Sequence, residues 1–427
     1  VSPVAGTFLD QTNVPLVRVE VVCAADRKPE LVFTQSRFAV EAPAQPFTER
    51  WQMPVCYRYQ DAAPQAAPAC TVLTEARTVV PLENARVGHC PRWIDPDPRV
   101  SGYYWYELPA AMWRPLLDES LRAEPVARLN LLANLSALFD AGVVPAEVYL
   151  DGIARLVPDR DPAVSERAIG RLWGIEHTLV TDASRGAFRA WAGGLVRPIV
   201  QRLGWTPRAG EAEAVTNLRR TALSAAGTLT DDPAVLREAE NLAARYLRDP
   251  RSVSGDVATV ALPIASRRAG AERFDALVER LPSAATPQDR SLLLSSLVTF
   301  DDLALVRRAY DLILTDTIRM QDLRALTRGA GATPGHRTLL YTWSRERIDD
   351  LERKLGRNMR FVIGSIGSLC EEAAVSEAER FMRERLGNLE GTDRNIALSA
   401  NVARRCAVVR ARESARAAAY FSRTPAR

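Results

Sequence analysis

Lysine is almost missing from this chain. Of 427 residues only Lys28 and Lys354 are lysines, so nearly all of the 56 basic residues are arginine. Against 52 acidic residues this leaves a net charge of +4. So even a balance excludes the basic footprint of a nucleic-acid binder, and no nucleic-acid partner is expected. Histidine is scarce too. His89, His177 and His336 lie far apart, and no His-Glu-x-x-His occurs, so a two-histidine zinc site is not expected. There is no Gly-x-Ser-x-Gly, no phosphate-binding loop and no dinucleotide fingerprint. Gly329-Ala330-Gly331-Ala332 lacks the Gly-Lys-Ser/Thr that a phosphate loop needs. Apolar runs stay short of the roughly 18 residues of a transmembrane helix, so no membrane span is expected. The opening Val1-Ser2-Pro3-Val4-Ala5-Gly6 has neither a charged nor an apolar leader region. It reads as a start almost in mid-strand, the mark of a fragment or processed product.

The six cysteines form no Cys-x-x-Cys, which excludes the common structural zinc spacings. Cys23, Cys56, Cys70 and Cys90 fall in the region that reads as strands. Cys56 and Cys70 sit either side of one loop and are expected within disulfide range. The cysteines are either disulfides of an extracytoplasmic protein or buried free thiols. Cys370 and Cys406 fall within helical patterns and are expected as core residues.

What is present is a chain of two characters. Up to residue 108 it reads as short strands separated by turns. In Val14–Val22, Val17, Val19 and Val21 alternate with Leu16, Arg18 and Glu20, a period of two. Leu31–Val40, Trp51–Tyr59, Thr71–Leu73 and Thr78–Leu82 follow, with proline-rich loops at 43–46 and 62–69. A β-sandwich of roughly seven strands is expected. The stretch Cys90–Leu108 is the junction. Pro91, Pro96 and Pro98 bar a helix, and Gly102 leads into Tyr103-Tyr104-Trp105-Tyr106, a run suited to a half-buried strand. Its rings are expected to be largely buried. From Pro109 the apolar spacing changes to three and four, as in Val126, Leu129, Leu132, Leu135, Leu138 and Phe139. Similar blocks continue to Tyr420, among them one helix over His336–Leu355. Asp232-Pro233 and Thr286-Pro287 are helix N-terminal signals. Acidic pairs such as Asp231-Asp232 and Glu371-Glu372 read as helix-start charges. The fold class is therefore a multidomain β + α chain. A β-sandwich over 1–108 precedes an all-α irregular solenoid over 109–427, a HEAT- or ARM-like helical bowl.

The order of certain motifs resembles a known family. Val14-Pro15-Leu16-Val17, Thr34-Gln35-Ser36-Arg37-Phe38, Trp51-Gln52-Met53-Pro54-Val55 and Gly102-Tyr103-Tyr104 follow one another as in the β-sandwich domain of the M1 (gluzincin) zinc aminopeptidases. Arg128, Leu131, Asn134, Leu138 and Gly142 are similar to that family's first large helix after the sandwich. Leu203-Gly204-Trp205 with Leu218-Arg219, and Pro334-Gly335 with Arg337 through Leu355-Gly356, are similar to later segments. Trp105, Tyr341 and Ile348 depart from the family's usual residues. The resemblance implies the C-terminal half of such an enzyme, inactive by itself, with zinc and its ligands in an upstream catalytic domain. This chain then holds no catalytic, cofactor-binding or metal residue of its own. Its partners are that catalytic domain and a peptide substrate, which the helical bowl encloses and sorts by size. Arg128, Arg219 and Arg337 are the candidate peptide-groove cations. A free-standing α-solenoid scaffold for a peptide or protein partner is the alternative. A periplasmic or secreted setting is favoured over the cytoplasm.

Overall fold

The computed structural model describes residues 3–40, 48–60, 67–327, 334–356 and 358–423. The loop at 43–46, most of the loop at 62–69, and Gly329–Ala332 lie outside the described residues. The chain divides into two compact units, Val1–Ala168 and Ile169–Arg427. The change from strands to helices at 108/109 lies within the first of them.

The first unit opens not in mid-strand but on a short helix, Pro3–Leu9. Seven strands follow among the described residues: β1 Pro15–Val22, β2 Glu30–Arg37, β3 Met53–Tyr59, β4 Ala69–Leu73, β5 Arg77–Pro81, β6 Ile94–Asp95 and β7 Trp105–Glu107. They form a four-stranded sheet ordered β5-β2-β1-β7 and a three-stranded sheet ordered β4-β3-β6. The period-two reading of β1 holds on its inner face, where Val17 and Val19 are buried while Arg18 and Glu20 are exposed. β1 and β2 pair antiparallel, with Val19 opposite Phe33. Phe33 meets Tyr57 of β3 at a ring distance of 5.7 Å, which brings the inner sides of the two sheets together.

Gln35 fixes that meeting. Its amide donates to Trp51 O at 3.1 Å and to Glu75 O at 2.8 Å, and its Oε1 accepts from Trp51 N at 2.9 Å. A buried amide that satisfies three backbone groups replaces water that cannot reach them. Cys56 and Cys70 face each other across β3 and β4, within disulfide range as expected, and of the two states left open they adopt the bonded one. Cys23–Cys90 is a second disulfide.

The junction is held by side chains from both ends. β7 pairs parallel with β1, Val17 opposite Tyr106, and is a sheet edge. Asn134, on the helix Pro125–Asp140, completes that edge: its Oδ1 accepts from Tyr106 N and its Nδ2 donates to Tyr106 O, both at 2.9 Å. One buried amide thus does the work of a neighbouring strand. Tyr106 stacks on Trp113. Tyr104 is buried, its hydroxyl donating to Pro96 O at 2.7 Å. The expectation for the whole aromatic run needs one correction, because Tyr103 is 67% exposed. It lies outside the paired strand and meets Phe8 edge-on, at a ring distance of 5.9 Å.

The second unit is helical. Asp232 caps the helix Pro233–Arg248 by accepting from Ala234 N and Val235 N, and Thr286 caps Pro287–Leu297 by accepting from Asp289 N. Each cap satisfies donors that a helix start leaves open, and is worth about 1 kcal/mol. Neighbours in sequence pack together: Arg185–Leu203 on Glu213–Thr228, and Pro233–Arg248 on Gly255–Ser266. The last helix, Thr392–Arg423, also returns to Arg185–Leu203. There Phe188 and Trp191 meet Tyr420 and Phe421 at ring distances of 5.1–6.0 Å. Each such ring contributes roughly 2–3 kcal/mol by burial. The helix expected over His336–Leu355 is two helices, Pro334–Glu346 and Ile348–Leu355. The break falls at Arg347, with φ −108° and ψ 19°, and no proline or glycine marks it. Cys370 and Cys406, expected as core residues, are joined in a third disulfide.

Candidate functional site

The three candidate arginines occupy three separate places, each an ion pair. Arg128 holds Asp159 in a two-point contact, Nε to Oδ2 at 2.9 Å and Nη2 to Oδ1 at 3.0 Å. Arg219 grips both oxygens of Glu211 and donates through Nε to Leu203 O at 3.3 Å. Arg337 pairs with Glu176, whose other oxygen accepts from Arg185 at 2.8 Å. All three guanidiniums are buried. Burial pulls the Arg337 guanidinium below its usual range although Glu176 opposes the shift. An arginine so placed ties distant segments together, and a peptide carboxylate reaching it has to exchange for the carboxylate already there.

Two cavities lie side by side in the second unit. One, of about 430 Å³, is lined by Pro282, Thr286, Arg290, Arg319, Asp322 and Arg324 among others. The other, of about 530 Å³, is lined by Met320, Leu323, Arg324, Leu340, Arg360 and Phe361 among others. Both volumes suit a ligand of a few residues. The segment between them, Met320–Thr327, is set by Asp322. Its carboxylate accepts from Arg319 N at 3.0 Å and from Arg290 Nε and Nη2 at 3.0 and 2.8 Å. Burial alone raises the Asp322 carboxyl, but hydrogen bonds from Arg290 and Arg319 and their charges outweigh it and hold it below the ordinary carboxylate range. Arg290 is therefore neutralised and structural, its Nη1 donating to Leu281 O at 3.0 Å.

The other cations are different. Arg319, Arg324 and Arg360 are exposed and enter no ion pair among the described residues. Arg324 lines both cavities, and Leu323, Leu340 and Phe361 give the second an apolar wall. Among the described residues, no nucleophile–base pair accompanies them in either lining. The chemistry on offer is recognition: guanidiniums for an anion beside apolar walls for a side chain. Sequence reading did not single these arginines out, because nothing in a chain so rich in arginine distinguishes a free guanidinium from a paired one.

A third grouping is also invisible in the sequence. His177, Cys370 and Cys406 place a ring nitrogen and two sulfurs within 4.8 Å of one another, although 193 positions separate His177 from Cys370.

Comparison with known proteins adds the family. The model of the ERAP1-like C-terminal domain matches residues 93–405. Aminopeptidase M1-A of Oryza sativa subsp. japonica is 25% identical over 304 residues, covering 69% of this chain and 34% of that protein. Aminopeptidase N of Lactobacillus delbrueckii subsp. lactis is 22% identical over 378 residues, covering 84% of this chain and 41% of that protein. The chain thus spans between a third and about two fifths of the length of these relatives.

Proposed function

Because the chain belongs to the ERAP1-like C-terminal domain family and corresponds to the C-terminal part of an M1 aminopeptidase, we propose that it binds the distal part of peptide substrates for a catalytic domain that carries zinc. The sandwich module, 1–108, joins that domain to a helical bowl, 109–427, which encloses the active-site chamber and admits chains by size. The observation that supports this reading is the pair of adjoining cavities sharing Arg324, with Arg319 and Arg360 beside them and no carboxylate partner among the described residues.

The physical logic is remote binding. Contacts far from the scissile bond position it without touching it, and an anion held at one end fixes the register of the other. The free C-terminal carboxylate of a peptide is the natural partner of an unpaired guanidinium, and its last side chain meets Leu323, Leu340 and Phe361. A direct role for Arg128, Arg219 or Arg337 requires carboxylate exchange, which makes them the second choice for this contact. The three disulfides favour an oxidising setting, periplasmic or secreted.

The test is equilibrium binding of a fluorescent, N-blocked peptide with a free or an amidated C-terminus. The free acid binds more tightly, and Arg324→Ala removes most of the difference. Equal binding of acid and amide, or a difference untouched by Arg324→Ala, refutes the proposal.

A further inference from the structure

The grouping of His177, Cys370 and Cys406 lies outside the linings of the two cavities. His177 stands near the end of the helix Pro162–Leu179, Cys406 on Thr392–Arg423, and Cys370 just before Glu372–Leu386. Three elements thus bring two sulfurs and an imidazole to one point. Thr178 Oγ1 lies 3.8 Å from Cys406 Sγ. Arg410, one turn beyond Cys406, donates through Nε to Thr178 O at 3.2 Å and through Nη2 to His177 O at 2.5 Å. Those bonds hold the end of the histidine helix against the cysteine helix.

We propose that these three residues form a redox-gated site for a thiophilic divalent cation of the zinc class. The site is closed while Cys370 and Cys406 are bonded, and becomes a two-cysteine, one-histidine ligand set when a dithiol reduces them. In the first step the dithiol's thiolate attacks one sulfur. The S–S bond breaks, two electrons pass to the protein sulfurs, and the dithiol leaves as its own disulfide. In the second, the cation displaces the two thiol protons to solvent. It forms two metal–sulfur bonds, takes the imidazole lone pair as third ligand, and keeps water as the fourth.

The geometry is close to what the metal needs. Zinc–sulfur bonds of about 2.3 Å and zinc–nitrogen bonds of about 2.0 Å put tetrahedral donors roughly 3.5–3.8 Å apart. The imidazole already lies within 4.8 Å of both sulfurs, which move apart to the metal spacing once their bond is reduced. Two thiolates and a dication sum to zero, so the Arg337–Glu176–Arg185 network need not change its charge.

The experiment is anaerobic titration of the phosphine-reduced chain with cobalt(II), read by the tetrahedral d–d bands and the thiolate-to-metal charge-transfer band. Wild type takes one equivalent with a two-sulfur spectrum, and zinc(II) displaces it. The Cys370→Ser/Cys406→Ser variant, which keeps the other four cysteines, lacks this signal. His177→Gln keeps the charge-transfer band but binds at least about 10–100-fold more weakly, the loss that even an outer-shell partner causes. The proposal is overturned by an equal signal in the double variant, by unchanged affinity in His177→Gln, or by equal binding to the unreduced chain. Loss of far-ultraviolet dichroism on reduction overturns it as well, because the site needs a folded reduced chain.

Discussion

The junction rests on a contact between a missing side chain and a ring. A Cβ at Gly102 falls 2.1 Å from Tyr104 Cε1 and 2.6 Å from its Cζ. Those distances are far inside van der Waals contact, so Gly102→Ala must expel the ring. The ring is buried and its hydroxyl is anchored on Pro96 O at 2.7 Å, so it has no easy retreat. Overpacking costs about 1–3 kcal/mol, and full loss of a buried aromatic about 3–5 kcal/mol. Gly102→Ala is expected near 3 kcal/mol and Tyr104→Ala near 4 kcal/mol, on the same scales. Once the ring is gone, the three atoms nearest to an alanine Cβ at 102 are gone with it. Its cost then falls below about 0.5 kcal/mol, or turns slightly favourable through the unfolded chain. The coupling between the two sites is thus roughly 2–3 kcal/mol. Native-state hydrogen exchange at β1 and β7 amides reads it in the first unit alone, which global melting of 427 residues does not. Costs that simply add within about 0.5 kcal/mol refute the contact as the organising feature.

Two further substitutions probe charge. Burial, with the charge of Asp97, lifts the Asp95 carboxyl from 3.8 to about 6 although Asp97 N donates to it. A carboxyl whose pKa is raised by folding holds its proton longer in the folded state, so it subtracts stability as pH rises from about 4 to 6. Asp95→Asn should therefore stabilise the first unit at pH above that window and be near neutral below it; a benefit independent of pH across urea titrations contradicts the assignment. Arg337→Met should cost about 3 kcal/mol, the low end for a broken buried pair, because Arg185 still holds Glu176. Adding Glu176→Gln should restore most of that, and peptide binding should be unchanged in both. A binding loss without a stability loss would instead make Arg337 a groove cation.

Local patterns were legible in the sequence because their causes are local. The alternation in β1 and the loop between Cys56 and Cys70 each fix a neighbour across a turn. Capping residues before Pro233 and Pro287 announce helix starts in the same way. β6 escaped notice, since Ile94-Asp95 is two residues beside a proline and pairs only with Arg58 and Tyr59. The ion pairs of Arg128, Arg219 and Arg337 also escaped, because a guanidinium carries no sequence mark of its partner; Glu176 stands 161 positions from Arg337. The Cys370–Cys406 bond and the approach of His177 depend on where the last helix returns. That is set by packing at Phe188, Trp191 and Phe421 rather than by spacing. Family motifs carried what periodicity did not: Gln35 and Asn134 belong to the motifs that suggested the resemblance, and both turn out to clamp backbone groups at the sandwich and its edge.

The central claim is that the adjoining cavities hold the far end of a peptide. A peptide with a photoactivatable side chain at its free C-terminus, bound and irradiated, marks the residues it touches. The account predicts adducts on Leu323, Thr327, Leu340 and Phe361, suppressed by unlabelled free-acid peptide and lost in Arg324→Ala. Adducts confined to other helices, or adducts that an amidated competitor suppresses equally well, would contradict it.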